Sequence, residues 1–479
     1  MYFCSKYLTY NMKRIYLLFI CLFALYGTAD ARRVTGEVVS NGKGLSKVVV
    51  TDGKSFTKTS ANGKFSFDIE DSAEFVYIVT PSGYVADWST GTPQFYQKAA
   101  EKDFFSFELI KTGNPKKEYN IIAVGDPQPR SDKHYNEFRE RPLDDICNTA
   151  ASLTTPTVGI VLGDICYDVL PLMKRWKEDI VRTGIPFYPS VGNHDHDRAF
   201  NDDEKSGHAY RENFGPENYA FFIGKDIVIV LDNIIYYSRS GYKEGYTDEI
   251  IDWVAGLMEF VPKKADIYVA QHSPVNGRCH RTLNYDMNIV NHEKLVELID
   301  DHNVTFLSGH NHINGIFQYR PNIMEHNVAA ICGTWWDTYH CTDGTPRGYK
   351  IFTKKGGELS WYYKAIDKDK DFQFEVFMPG TTRLHPEHLV VNVWDYDPQW
   401  KVEWYEDGKP MGEMEQVTEF SPVHTAEIEA KYPDGKISDH KLTGSTAHNF
   451  AAKPSEGAKE ITIVITSRFG KVLKETIKL

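Results

Sequence analysis

Cysteine is scarce: the 479 residues contain seven, and no two are spaced as Cys-x-x-Cys. That excludes a zinc knuckle and a thioredoxin-type redox pair. Basic blocks are missing as well. The formal net charge is −12, from 54 Lys and Arg against 66 Asp and Glu, so nucleic acid is not the expected partner. Metal ions could still give an anionic substrate a local positive site. No run is long enough to span a bilayer, since the stretch IYLLFICLFALY, Ile15–Tyr26, falls short. It follows Met12, Lys13 and Arg14 and leads into Ala29-x-Ala31, the layout of a secretory leader. The expectation is initiation at Met12, a leader over 1–31 cleaved after Ala31, and a mature chain exported to the periplasm or outside the cell with no transmembrane anchor. Export permits disulfides. Cys4 and Cys21 fall in the leader, leaving Cys147, Cys166, Cys279, Cys332 and Cys341, an odd set with at least one free thiol. Buried thiols are the simpler expectation; a Cys332–Cys341 or Cys279–Cys341 bridge stays open.

What is present divides into three parts. From 32 to 112 short β-branched runs alternate with Asn-Gly and Asp-Gly turns, as in VVSNGKGLSKVVVTDGK, which predicts hairpins and a small β-sandwich similar to prealbumin-like modules. KTGNPKKEYN then reads as a linker. From 113 to 366 apolar runs alternate with amphipathic stretches such as TDEIIDWVAGLMEFV. Thr247 and the acids after it mark a helix start. Strand–helix alternation with near-continuous apolar strands predicts an α/β domain around a largely parallel, face-covered sheet. From 367 to 479 alternation returns without a helical stretch, predicting a second β-sandwich. At 479 residues, such a division is what core size demands.

Chemistry concentrates at the strand ends of the middle segment. IIAV runs into Gly125-Asp126-Pro127-Gln128, and VGIVL into Gly163-Asp164-Ile165-Cys166-Tyr167-Asp168. FYPSV runs into Gly192-Asn193-His194-Asp195, IYVA into Gln271-His272-Ser273-Pro274, and VTFL into Ser308-Gly309-His310-Asn311-His312. In open α/β sheets ligands lie beyond the carboxyl ends of the strands, so these residues face one crevice. Imidazole with carboxylate suits Mn, Fe or Zn more than Ca. The donor set is larger than one catalytic ion needs and suggests two ions sharing a bridge, an arrangement that clamps both oxygens in phosphate chemistry.

GDPQ, GDICYD, GNHD, AQHSP and SGHNH, in this order, resemble the calcineurin-like metallophosphoesterases over about half of the chain. The flanks, with DGTPRGY (Asp343–Tyr349), resemble a bacterial exported subgroup that places this domain between two β modules. The resemblance implies two divalent or trivalent ions, with Mn, Fe or Zn expected. Asp126, Asp164 and His312 would hold the first ion, and Asp164, Asn193, His272 and His310 the second. It further implies that a hydroxide between the ions attacks phosphorus in line. His194 would serve the leaving oxygen as acid or hydrogen-bond donor, oriented by Asp195 or by its rival Asp168. The family usually has His two residues after the first Asp, where this chain has Gln128. Gln128 ligates through its carbonyl oxygen, or water takes its place, or Tyr167 ligates instead, as in the related purple acid phosphatases.

Other polar residues have plainer readings. Asp232 and Asn233 are expected to be structural. Arg278 and Arg347 either grip phosphate or form surface salt bridges, and TWWDTY (Thr334–Tyr339) either walls the pocket or fills a domain junction. The expected activity is hydrolysis of a phosphomonoester or phosphodiester on a phosphorylated small molecule, lipid or glycan. Two rivals stay open: another dinuclear hydrolase, and a non-catalytic surface-binding protein on this scaffold.

Overall fold

The computed structural model describes residues 31–100, 102–113, 118–239, 241–275 and 289–479. The leader with Met12, Cys4 and Cys21, as well as Arg278 and Cys279, lies outside the described residues.

The strand Glu118–Val124 shows why the middle segment reads as a continuous apolar run. Its side chains alternate between two cores: Ile121 and Ala123 enter one, Ile122 and Val124 the other. The second core lies under the helices Asp132–Glu140, Pro142–Ser152 and Pro171–Ile180, with Phe138, Ile146 and Trp176 in it. A strand buried on both faces has no polar face to show.

One central sheet runs in the order Phe187–Ser190, Thr157–Leu162, Glu118–Val124, Gly348–Lys355, Glu358–Ala365. Its first three strands are parallel and its last two antiparallel. The other runs Tyr219–Ile223, Asp226–Val230, Ile267–Ala270, Val304–Ser308, Ile323–Asn327, Gly315–Arg320, with a parallel centre and antiparallel edges. The two share a core, and Tyr119 Oη of one donates to Asp226 Oδ2 of the other at 2.7 Å. The expected single, largely parallel sheet is thus corrected to two mixed sheets. The antiparallel pairs at the edges have a local reason. Gly224-Lys225 and Gly356-Gly357 are two-residue connections, and connections that short fold a strand back antiparallel.

All-β sheets flank this centre. Before it, one sheet is built on Ala31–Ser40, paired with Lys64–Glu70 and Phe104–Lys111, and another on Val49–Thr51 and Phe75–Val79. Lys64–Glu70 alternates strictly between exposed and buried side chains, as expected of a half-buried strand. This part joins the centre where Phe222 N–H donates to Thr80 O at 2.9 Å. After it, two four-stranded sheets enclose Val391, Trp404, Ile463 and their neighbours.

A helix, Pro422–Lys431, departs from the all-β expectation for this last part. Ser421 caps it by accepting from His424 N–H, and Pro422 stands in its first turn. Only His424 and Ile428 are buried, so its apolar stripe is too thin to read as a helix. Cys332 and Cys341 are the buried thiols expected, and the bridge between them that stayed open is not formed. Both thiols are free and buried, close to the carbonyls of Gly333 and Ala330. No helix among the described residues is long and apolar enough to cross a membrane.

DGTPRGY joins the centre to the last domain. The buried Asp343 carboxylate accepts from Asn314 N–H at 3.0 Å, Thr345 N–H at 2.9 Å and His448 Nε2 at 3.2 Å. Burial opposes its charge, yet the bond from His448 and these backbone donors hold the carboxyl below its ordinary 3.8. A depressed carboxyl adds stability that is full above the unfolded value and lost as pH falls through the folded one. Asp343→Asn is therefore expected to cost about 3 kcal/mol at pH 7, read as a lower urea midpoint. The deficit shrinks below about pH 4, as the wild-type carboxyl takes up its proton. An unchanged midpoint at pH 7 would contradict this role.

Candidate metal centre

The strand-end loops curl their polar side chains back over the sheets. Asp126, Gln128, Asp164, Asp168, His310 and His312 all have positive φ, from +40° to +69°. For residues with a Cβ this costs roughly 1–3 kcal/mol each, and such strain collects at functional sites. Two glycines allow the close approach. A Cβ on Gly192 would stand 2.3 Å from Asp164 Oδ1, and one on Gly309 would stand 2.5 Å from Asp126 Oδ2.

Four acceptors converge at one point. His272 Nε2 lies 3.1 Å from Asn193 Oδ1, 3.3 Å from Asp164 Oδ2 and 3.0 Å from His310 Nδ1. Asp164, His272 and His310 form a group able to hold a metal ion. His272 Nδ1 is 2.7 Å from Leu162 O, so its proton sits on Nδ1 and its Nε2 lone pair faces the cluster. His310 Nε2 is 3.4 Å from Glu244 Oε1, which turns its Nδ1 lone pair inward in the same way. Asn233, as expected, is structural: its Oδ1 accepts from His272 N–H and Ser273 N–H and fixes the loop.

A second group lies beside the first. His312 Nδ1 is 3.2 Å from Gly333 O, while its Nε2 faces Asp126 Oδ1 at 3.5 Å. Both oxygens of Asp126 accept from His310 N–H, at 3.1 and 3.0 Å. Asp164 stands between the groups, accepting from His194 N–H at 2.8 Å and from the Gln128 side-chain amide. That bond leaves Gln128 Oε1 buried with no partner.

These residues fit cations. Two buried carboxylates, three imidazole lone pairs, an asparagine oxygen and an orphaned glutamine oxygen face one another, and among the described residues no Lys or Arg is paired with Asp126 or Asp164. Without a cation, positive charge comes from protonating His272. Burial opposes that, but Asp164 and Asp126 overcome it and push His272 up to about 10. A proton there stands in for the charge of an ion. Six of the seven expected ligands, Asp126, Asp164, Asn193, His272, His310 and His312, turn donor atoms into this space, and Gln128 brings an unused oxygen. Gln128→Ala is expected to weaken binding of one ion by about ten- to a hundredfold, measured by competition with a chelator. Gln128→His should match or exceed wild type. Equal affinity in Gln128→Ala would show that this oxygen does not ligate.

His194 sits at the rim. Its Nδ1 donates to Asp168 Oδ1 at 2.9 Å, and its ring lies flat on Tyr167 with centroids 4.0 Å apart. The orienting carboxylate is therefore Asp168. Asp195 is corrected to a backbone staple: it accepts from Gly192 N–H at 2.9 Å and from Ile165 and Cys166 N–H, both at 3.1 Å. Arg198, which no sequence signal marked, reaches the same Asp168 oxygen through Nε at 3.0 Å. Glu244, equally silent in the sequence, arrives on a two-stranded hairpin, Ile234–Ser238 with Gly241–Glu244. Arg347 neither grips phosphate nor bridges at the surface. It is buried, stacks on Trp336 at 4.7 Å and reaches Glu137 at 2.5 Å. Trp336 donates its indole N–H to Pro127 O at 3.0 Å, so TWWDTY braces the first ligand loop.

Paired mixed sheets with His, Asp and Asn at the strand ends define a fold with a candidate metal centre. Three family models match in sequence: "N terminal of Calcineurin-like phosphoesterase" over 32–112, "Calcineurin-like phosphoesterase" over 119–314, and "C terminal of Calcineurin-like phosphoesterase" over 325–473. The chain belongs to the calcineurin-like phosphoesterases that carry both extensions. No curated relative matches it. Among solved structures it is similar to a dimetal phosphatase from Danio rerio, at 13% identity and TM-score 0.34 over 52% of this chain and 99% of that one. It is also similar to a 5'-nucleotidase from Candida albicans, at 14% identity and TM-score 0.33 over 52% of each. Phosphopantetheinyl hydrolase from Mycobacterium tuberculosis is similar at 12% identity and TM-score 0.29, over 45% of this chain and 91% of that one.

Proposed function

We propose that the chain is an exported phosphoesterase that hydrolyses a phosphomonoester or phosphodiester at a two-ion centre. Asp126, Gln128, Asp164, Asn193, His272, His310 and His312 hold the ions, which are of Mn, Fe or Zn type. One observation supports this above the rest: three acceptors stand within 3.3 Å of His272 Nε2, a nitrogen whose own proton lies on the opposite side of the ring. A cation bound among them makes that convergence favourable. Ions held there would activate water as the nucleophile and neutralise phosphate charge.

The chain's own residues do the remainder. Asp164, placed between the two groups, would hold both ions. Asp168 fixes Nδ1 of His194 as a donor, so Nε2 is the atom that hands a proton to the leaving oxygen. Tyr167 keeps that ring in plane. The substrate is a phosphorylated small molecule, lipid or glycan. The leader pattern at Met12–Ala31 supports export.

The test is hydrolysis of p-nitrophenyl phosphate and bis-p-nitrophenyl phosphate by the mature chain, stripped of metal and reloaded with Mn²⁺. Turnover that needs the metal is expected, and the better compound decides between mono- and diester. Metal-loaded protein that turns over neither would contradict the proposal.

A further inference from the structure

The loop that carries Gln128 continues through Pro129 to Arg130, and two residues of chain reach no more than about 7 Å. Arg130 therefore stands at the rim of the metal centre. Beside it lies Asp337, two residues beyond Trp335, whose ring is stacked on His312 at 4.3 Å and meets His440 edge-on at 5.0 Å. Asp337 gathers three cations. Lys441 Nζ is 2.5 Å from Oδ2, while Arg130 Nη2 and Lys431 Nζ are 3.4 and 3.5 Å from Oδ1. Tyr432 Oη also donates to Oδ2, at 2.7 Å.

One carboxylate cannot balance three cations. Lys441 is the closest of them and nearly buried, and it alone neutralises Asp337. A plain domain-joining salt bridge would need nothing more. Arg130 and Lys431 approach the other oxygen at longer range, with 38% and 44% of their side chains exposed. Both stand within 3.5 Å of the same oxygen, two positive charges close together whose repulsion an added anion would relieve. Lys431 arrives from the helix Pro422–Lys431, so the last domain contributes directly to the rim.

We infer that Arg130 and Lys431 form a second anion subsite beside the metal centre. The substrate class is then a phosphoester that carries a second phosphate besides the scissile one. This rests on the phosphoesterase reading of the centre itself. Arg130 supplies a planar fork and Lys431 a point charge, a combination suited to phosphate oxygens.

The test measures kcat/KM of the metal-loaded chain for fructose 1,6-bisphosphate and fructose 6-phosphate, in wild type and in the double variant Arg130→Ala/Lys431→Ala. Binding of the same two sugars to metal-loaded His194→Ala protein, by titration calorimetry, supplies a readout that needs no turnover. The bisphosphate is expected to be preferred by about tenfold or more, the effect of one charge-assisted contact. The preference should collapse toward unity in the double variant and survive in Lys431→Arg. A preference unchanged in the double variant, or none in wild type, would overturn the subsite. If p-nitrophenyl phosphate is hydrolysed all the same, the phosphoesterase reading stands without it. If no compound is hydrolysed but the binding preference follows the two cations, the subsite stands and the catalytic reading fails.

Discussion

His194→Ala is expected to lower kcat by about two to four orders of magnitude while bound metal stays at its wild-type level. The ring takes no part in the convergence on His272. Its one strong side-chain bond is to Asp168 at 2.9 Å, and it is held by stacking on Tyr167. Removing it should leave the ion site assembled and take away the proton for the leaving group. A good leaving group needs that proton less, so the loss should be smaller on p-nitrophenyl phosphate than on an alkyl phosphate. Asp168→Asn should fall in the same direction by a lesser factor, because the ring stays but its orientation weakens. Equal losses on the two substrates, or lost metal, would move His194 from proton donor to structural support.

The second large effect is expected at Asp164. Its backbone carbonyl accepts from Gln128 N–H, one side-chain oxygen accepts from His194 N–H, and the other faces His272 Nε2. Its side chain thus meets both groups, His272 of the first and Gln128 of the second. Asp164→Asn should remove most bound metal after dialysis and lower kcat by at least about a thousandfold. Without metal the variant should also lose stability at pH 7: burial opposes the Asp164 charge, yet His272 and His194 hold its carboxyl below the ordinary range, so the wild-type carboxylate is the partner of a protonated His272. Retained metal and activity would remove it from the centre.

Much of this site could be read in the chain itself. An apolar run that ends in Gly-Asp, Gly-Asn-His or Gly-His-x-His is a strand delivering a ligand, and the glycine is needed because a Cβ on Gly192 would collide with Asp164. What stayed hidden depends on direction in space. Asp195 follows His194 in the chain yet turns to three backbone amides, and Asp168, from the preceding strand's loop, reaches the imidazole. Adjacency does not say which way a carboxylate points when the turn is a 3-10 helix. The antiparallel edge pairs hung on the two-residue connections at Gly224 and Gly356, whose effect on strand direction outweighs the run of apolar residues on either side. The helix at Pro422 carried its Ser-Pro start signal, but two buried side chains make no readable stripe. The rim of Arg130, Asp337 and Lys431 joins residues about 200 positions apart. No local pattern announces such a cluster.

The most direct test of the central claim is elemental analysis of the mature chain, purified without chelator, with metal counted per folded protein. The account predicts about two transition-metal ions per chain, most of them lost in Asp164→Asn and retained in His194→Ala. A folded wild-type chain that carries no metal, and takes up none from Mn²⁺, Fe²⁺ or Zn²⁺, would contradict it.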